Sequence, residues 1–227
     1  MKFTTKLLAA GLALGAVSVP ASAQVQGRLA TADYSRAIVN TNAIQTAFNQ
    51  IGTTYQAQIA DRQAKQEQLA TLLQPFDTNG NGQLDDSEVP AIQGSENFQQ
   101  IQTLNQQIDQ INNQVNAARI YAVEQVLTQY RESLESVTSQ QQIVMVVQPE
   151  VLQYVAEGAD ITGQITTALN SRVPSAQIVP PADWRPSREA AQAYQQIQQL
   201  LIRQQVIQQQ QAAQQGQQPA AQAPSGR

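Results

Sequence analysis

Apolar residues fall at Ile101, Leu104, Ile108, Ile111, Val115, Ala118 and Ala122, in alternating steps of three and four. A spacing that averages 3.5 residues keeps a single stripe on one side of an α-helix, as in the seam of a coiled coil. Val126, Tyr130, Leu134 and Val137 carry the stripe to about Ser139, and no Pro or Gly interrupts residues 95–148. With Ser95 as N-cap, this predicts a helix of about 44 residues, roughly 66 Å long. A stripe this narrow does not stabilise an isolated helix; a neighbour has to cover it.

That neighbour precedes it. Ile44, Phe48, Ile51, Tyr55, Ile59, Arg62, Leu69, Leu72 and Leu73 recur at helical steps, weaken at Gly52, Thr53 and Thr54, and stop at Pro75. The run is about 32 residues, roughly 48 Å of helix. Two long helices joined by a short connection predict an antiparallel helical hairpin, a coiled-coil arm. Short strands are predicted at its base. Residues 36–40 read as a strand, with Asn40, Thr41 and Asn42 as caps for the helix that follows. Ile143, Val144, Met145, Val146 and Val147 read as a buried strand ended by Gln148 and Pro149. Residues 151–156 are a further extended candidate, and Asp160 caps a helix reaching about Arg172, with Ile161, Ile165 and Leu169 on one face. The predicted fold class is mostly α with a small β body.

Composition agrees and excludes other classes. The chain has no Cys and no His, which removes thiol chemistry, disulfides, Cys/His zinc sites and imidazole bases. Glutamine accounts for 44 of 227 residues while aromatics are 5%, so one large globular core is out of reach and long helices with thin seams are favoured. No catalytic or cofactor-binding residues are assigned. Asp85 and Asp86 belong to the polar loop at residues 77–88, Glu132 and Glu135 lie on a solvated helix face, and Lys65 sits in a Gln-rich helix.

The N-terminus carries its own signal. Lys2 and Lys6 precede an apolar run from Leu7 to Val19, and Ala21, Ser22 and Ala23 form a small-x-small cleavage pattern. Residues 1–23 are predicted to be a signal peptide, with the mature chain starting at about Gln24 and exported; no later segment is apolar enough to span a bilayer. Without Lys2 and Lys6 there remain 11 basic residues against 17 acidic ones, a net charge of −6. Neither a nucleic-acid footprint nor a polybasic lipid-binding stretch is present. At the other end, residues 174–187 form a Pro-punctuated linker holding Trp184, and 188–227 a Gln-rich helix capped by Ser187 with a low-complexity tail. The stripe of Tyr194, Ile197, Leu201 and Ile207 could serve a coiled-coil partner, although composition favours a solvated tail.

The most specific motif lies at the hairpin connection. Residues 77–88, DTNGNGQLDDSE, match the twelve-residue EF-hand calcium loop. Asp77, Asn79 and Asn81 supply side-chain oxygens at positions 1, 3 and 5, and Gly82 at position 6 permits the sharp turn. Gln83 offers its backbone carbonyl, Asp85 a direct or water-mediated oxygen, and Glu88 a bidentate carboxylate. Ca²⁺ is therefore the expected ligand, at a single site. Two Asn in place of Asp, and no second loop to pair with, suggest affinity on the order of 10⁻⁵ to 10⁻³ M. Pro90 in the leaving helix predicts a short or kinked exit.

Ala37, Ile38, Val39 and Asn40 leading into Ala43 and Ile44, then Ile143 to Val147, Val151 to Tyr154, and Ala159 to Thr162, resemble the OmpH/Skp-like family of periplasmic chaperones over residues 36–173. The resemblance implies a homotrimer in which strands of three chains form a β-barrel body and three hairpins project as arms around a client cavity. It also implies an ATP-independent holdase for unfolded outer-membrane proteins. Phe48, Tyr55, Ile101 and Ile108 are candidate client contacts, and equally candidate seam residues. The second functional expectation is a calcium-binding structural or adaptor protein of the cell envelope.

Overall fold

The computed structural model describes residues 27–82 and 85–216. The expected signal peptide and the end of the tail lie outside the described residues, as do Gln83 and Leu84 of the loop. In chain order the elements are β1 (Arg28–Thr31), α1 (Tyr34–Val39), α2 (Asn42–Thr54), α3 (Gln56–Leu73), α4 (Val89–Gln93) and α5 (Phe98–Leu127). There follow α6 (Tyr130–Gln140), β2 (Ile143–Val147), α7 (Thr162–Arg172) and α8 (Arg188–Gly216), with single 3-10 turns at Gln74–Phe76 and Pro149–Val151. The protein is mostly helical.

β1 and β2 pair in parallel, Leu29 opposite Met145, Ala30 opposite Val146 and Thr31 opposite Val147. Parallel strands need a long crossover, and here everything from α1 to α6 supplies it. Gly27 leads into β1 at a point where a Cβ would collide with the Val144 side chain.

Residues 36–40 are not a strand. They lie in and just after α1, and the first strand is Arg28–Thr31, upstream of the run expected to form it. Asp33 decides the matter: its Oδ1 accepts the backbone N–H of Arg36 at 2.9 Å and caps α1. Ala37, Ile38 and Val39 are all buried. Three consecutive buried residues suit a helical turn enclosed on several sides, whereas a strand sends neighbours to opposite faces. Thr41 caps α2 as expected, its Oγ1 accepting the N–H of Ile44 at 3.3 Å.

The long helices are segmented. The first breaks at Tyr55, beside the weak Gly52, Thr53 and Thr54. The second breaks at Thr128 and Gln129 although it contains no Pro or Gly. There the N–H of Gln129 turns to the carbonyl of Val126 at 3.0 Å, and Tyr130 meets Tyr34 of α1 edge-on with ring centroids 6.2 Å apart. Ser95 is not an N-cap. Its Oγ donates to the carbonyl of Ile92 at 2.7 Å and closes α4, while α5 starts three residues later. Pro90 sits in the first turn of α4, where its missing N–H is tolerated, and the exit helix has only five residues. Residues 151–156 do not form a strand; beyond the named strands, Thr31 bridges Asp160. Asp160 is not the N-cap of α7; that position is Ile161, and Asp160, one residue earlier, accepts the N–H of Thr162 at 2.9 Å.

The core gathers at the arm base: Ile38 and Ile44 from α1 and α2, Val123 and Val126 from α5, Ile165 and Leu169 from α7, and Tyr194 and Ile197 from α8. Each large aliphatic side chain removed from water contributes about 1.5–3 kcal/mol. The first half of α8 is thus part of the core rather than a solvated tail. Ser187 caps it, its Oγ accepting the N–H of Ala190 at 3.2 Å. Leu201, Ile202, Val206 and Ile207 in the second half are exposed.

Candidate functional site

Along the arm, α2 and α3 pack on α5. Ile51 and Tyr55 meet Val115 and Ala118, and Ile101, Leu104 and Ile108 are buried farther out. Tyr55, Ile101 and Ile108, with the half-buried Phe48, are therefore seam residues, and the candidate client contacts among them are covered. The arm presents amides to solvent, Gln99, Gln102, Gln106 and Gln110 on α5 and Gln63 and Gln66 on α3, together with the carboxylates Asp61, Glu67 and Asp109.

At the tip, the loop is organised around its own carboxylates. Gly80 and Gly82 take positive φ of 69° and 74°, values that favour glycine. These turns bring the N–H of Asn81 to Asp77 Oδ1 at 3.2 Å and that of Gly82 to Asp77 Oδ2 at 2.8 Å. Asn79 Nδ2 donates to Asp85 Oδ2 at 2.6 Å. Glu88 is 4% exposed. Its Oε1 accepts the N–H and hydroxyl of Thr78 at 2.7 and 2.8 Å, and its Oε2 accepts the N–H of Asp85 at 3.0 Å. The Asp85 N–H, then the Thr78 hydroxyl and N–H, hold the Glu88 carboxyl below its ordinary pKa. Asp77, Asn79, Asn81, Asp85 and Glu88 thus share one loop, and their oxygens are the hard donors that calcium takes. Among the described residues, no three acidic side chains are gathered into a cation cage. An ion would have to replace N–H groups now bound to these carboxylates and turn the Asn79 amide about.

At the base, sequence reasoning missed a latch. Glu124 of α5 accepts Trp184 Nε1 at 2.7 Å and the N–H of Ser187 at 3.1 Å, while Trp184 packs edge-on against Tyr121 with centroids 5.2 Å apart. Burial pushes the Glu124 pKa up, but the bonds from Ser187 and Trp184 outweigh it and the net shift is downward. Gln125 holds the linker backbone with both ends of its amide, donating to the carbonyl of Gln177 at 2.9 Å and accepting its N–H at 3.0 Å. The Tyr194 hydroxyl donates to Asn116 at 3.1 Å and accepts from Gln198 at 2.9 Å. The lone Trp in a Pro-rich linker was the signal that this segment docks somewhere. Glu132 and Glu135, the carboxylates considered for catalysis, pair with Arg172 at 2.7 Å and Arg131 at 3.0 Å.

On the paired strands Leu29 and Met145, opposite each other, are 63% and 56% exposed, and Tyr154, in the segment after β2, is 82% exposed. Among the described residues, no helix is long and apolar enough to cross a membrane.

A scan against protein-family models finds no match, and no curated protein matches the chain significantly. Among solved structures, a crystal structure from Caulobacter crescentus CB15 described as a candidate outer membrane chaperone (OmpH-like) aligns with 69% of this chain and 92% of its own. The sequence identity is 15% and the TM-score 0.41. Agreement of that degree is too loose to carry a fold or a function across.

Proposed function

We propose that this protein is an exported, ATP-independent holdase for unfolded outer-membrane proteins, acting in the periplasm. The observation that supports this most is the layout: a parallel pair of strands joined through a long helical arm, with apolar side chains left exposed beside the pair. Sheet edges and exposed apolar side chains of this kind are ordinarily covered. In this reading three copies cover one another at Leu29, Met145 and Tyr154, and the arms stand around a client. The loop at residues 77–88 takes one calcium ion through Asp77, Asn79, Asn81, Gln83, Asp85 and Glu88 and stiffens the arm tip. The exposed Leu201, Ile202, Val206 and Ile207 favour a second reading, an envelope adaptor that docks a folded partner on α8.

The test is suppression of aggregation of a urea-unfolded outer-membrane barrel, followed by light scattering. Suppression without ATP is expected, and its absence from folded, assembled protein would sink the holdase reading. The adaptor reading expects instead one folded partner, lost from a chain ending at Leu200. Calcium is tested separately: millimolar Ca²⁺ should raise the melting temperature of the wild type and leave Glu88→Gln unmoved. A wild type indifferent to calcium removes the ion from the proposal and leaves the holdase reading standing.

A further inference from the structure

The half-buried residues of α3 are Gln58, Ile59, Arg62, Lys65, Leu69, Leu72 and Leu73, and they mark the side turned to α5. Between Ile59 and Leu69 that side holds only Arg62 and Lys65. Arg62 Nη1 donates across the hairpin to Asn112 Oδ1 at 3.2 Å, and Lys65 Nζ turns back to Asp61 Oδ1 at 3.1 Å. Two atoms of this stretch, Gln58 Oε1 and Arg62 Nε, are buried without a hydrogen-bond partner. Each has given up water without replacement, which weakens the closed arm relative to an open one. No residue of α3 is fully buried, whereas Ala43, Ile44, Ala47 and Ile51 of α2 and Ile101, Leu104 and Ile108 of α5 are. The apolar cluster of Ile51, Tyr55, Val115 and Ala118 extends outward to Ile59 and Ile111. The helix is also interrupted beside this cluster, since α2 ends and α3 begins at Tyr55.

We infer that α3 opens away from α5 as a unit, about the break at Tyr55, while α2 stays packed. The stripe it uncovers, Ile101, Leu104 and Ile108, then takes an apolar segment of an unfolded client. With Arg62 opposite Asn112, the antiparallel register brings Lys65 to the level of Ile108. The present cover of the stripe is therefore mismatched by cations where an apolar side chain would fit. An aliphatic or aromatic segment of an unfolded chain supplies at those positions what Arg62 and Lys65 do not. Seam residue and client contact are then one set of side chains in two states of the arm, closed and open. The inference rests on the holdase reading and gives its client site: an apolar stripe concealed under a polar-seamed helix.

The experiment follows the mature full-length protein by hydrogen exchange with mass spectrometry. In the same buffer it measures affinity for a fluorescently labelled, urea-unfolded outer-membrane barrel. Amides of α3 should exchange at least about ten-fold faster than those of α2, because an element that opens alone exchanges ahead of its surroundings. Arg62→Leu with Lys65→Leu fills the seam and should slow α3 exchange by about ten-fold or more. Affinity should weaken by the same factor, since a client that takes only the open form has its affinity scaled by the open fraction. Arg62→Gln with Lys65→Gln removes the same two charges and leaves the seam polar, so its affinity should follow its own α3 exchange. If the Leu pair does not fold, the Gln pair against wild type still shows whether affinity and exchange move together. Equal exchange of α3 and α2 in the wild type overturns the inference, as does a filled seam that leaves exchange unchanged. A filled arm that closes yet holds client as the wild type does also overturns it, and so does one loss of affinity common to both variants whatever their exchange. In each of these cases the holdase reading stands. Wild-type protein that exchanges as expected but holds no client overturns the holdase reading and the client's place on the stripe, and leaves the opening of α3 standing.

Discussion

Glu124 ties three parts of the chain together with one carboxylate: α5, the linker through Trp184, and the start of α8 through Ser187. Its pKa lies below the ordinary 4.5 because the bonds outweigh burial. A depressed carboxylate contributes stability that is present above the unfolded value and is lost as pH falls through the lower folded one. Glu124→Gln should therefore cost about 1 kcal/mol at neutral pH, a figure for a partly solvated hydrogen-bonding charge. It should also flatten the acid limb of stability below about pH 4.5. Urea denaturation at several pH values measures both, and an acid limb as steep as the wild type's would contradict the assignment. Nothing around Glu124 in the sequence marks it. A Glu on a Gln-rich helix reads as solvated until the linker is seen to fold back over it.

At the scale of elements, α8 divides into two halves with different roles. Ala190, Ala193, Tyr194 and Ile197 are buried on α1 and α5, so removing them uncovers the core. Ile197→Ala should cost about 2–4 kcal/mol. A chain truncated after Val173 should melt on the order of 10 °C lower or fail to fold, given about 2–4 °C per kcal/mol at this size. A chain ending at Leu200 should melt within about 2 °C of the full one, since residues 201–213, the described ones that it loses, are exposed. Equal melting of all three would mean that α8 does not dock. The arm helices were legible because their 3.5-residue period is local. Their breaks were half legible: Gly52 announced the one at Tyr55, while the one at Gln129 depends on Tyr130 reaching Tyr34, a contact between residues 96 positions apart.

In the whole molecule Leu29 and Met145 stand exposed on the strand pair, where apolar side chains and sheet edges are ordinarily covered. If three copies cover them, the native mass of the mature protein by sedimentation is three times the chain mass. Leu29→Lys with Met145→Lys should then give monomers with unchanged helix content by circular dichroism, because both side chains are exposed in the single chain. A wild-type monomer, or a variant that assembles as well as wild type, counts against the trimer.

By itself the sequence determined whatever depends on local spacing: the seam from Ile101 to Ala122, the hairpin it demands, the polar loop between the arms, and the position of strand β2, though not the burial expected of it, since Val144 and Met145 are exposed. Those patterns repeat within one or two turns, so neighbouring residues alone carry them. Only the tertiary structure decided between strand and helix at residues 36–40, because a short apolar run has no preference of its own and a cap at Asp33 with burial on all sides settled it. It likewise decided that α8 belongs to the core. The residues that dock it are mostly Ala among Gln, too weak in hydrophobic pattern to announce burial until α1 and α5 are placed against them.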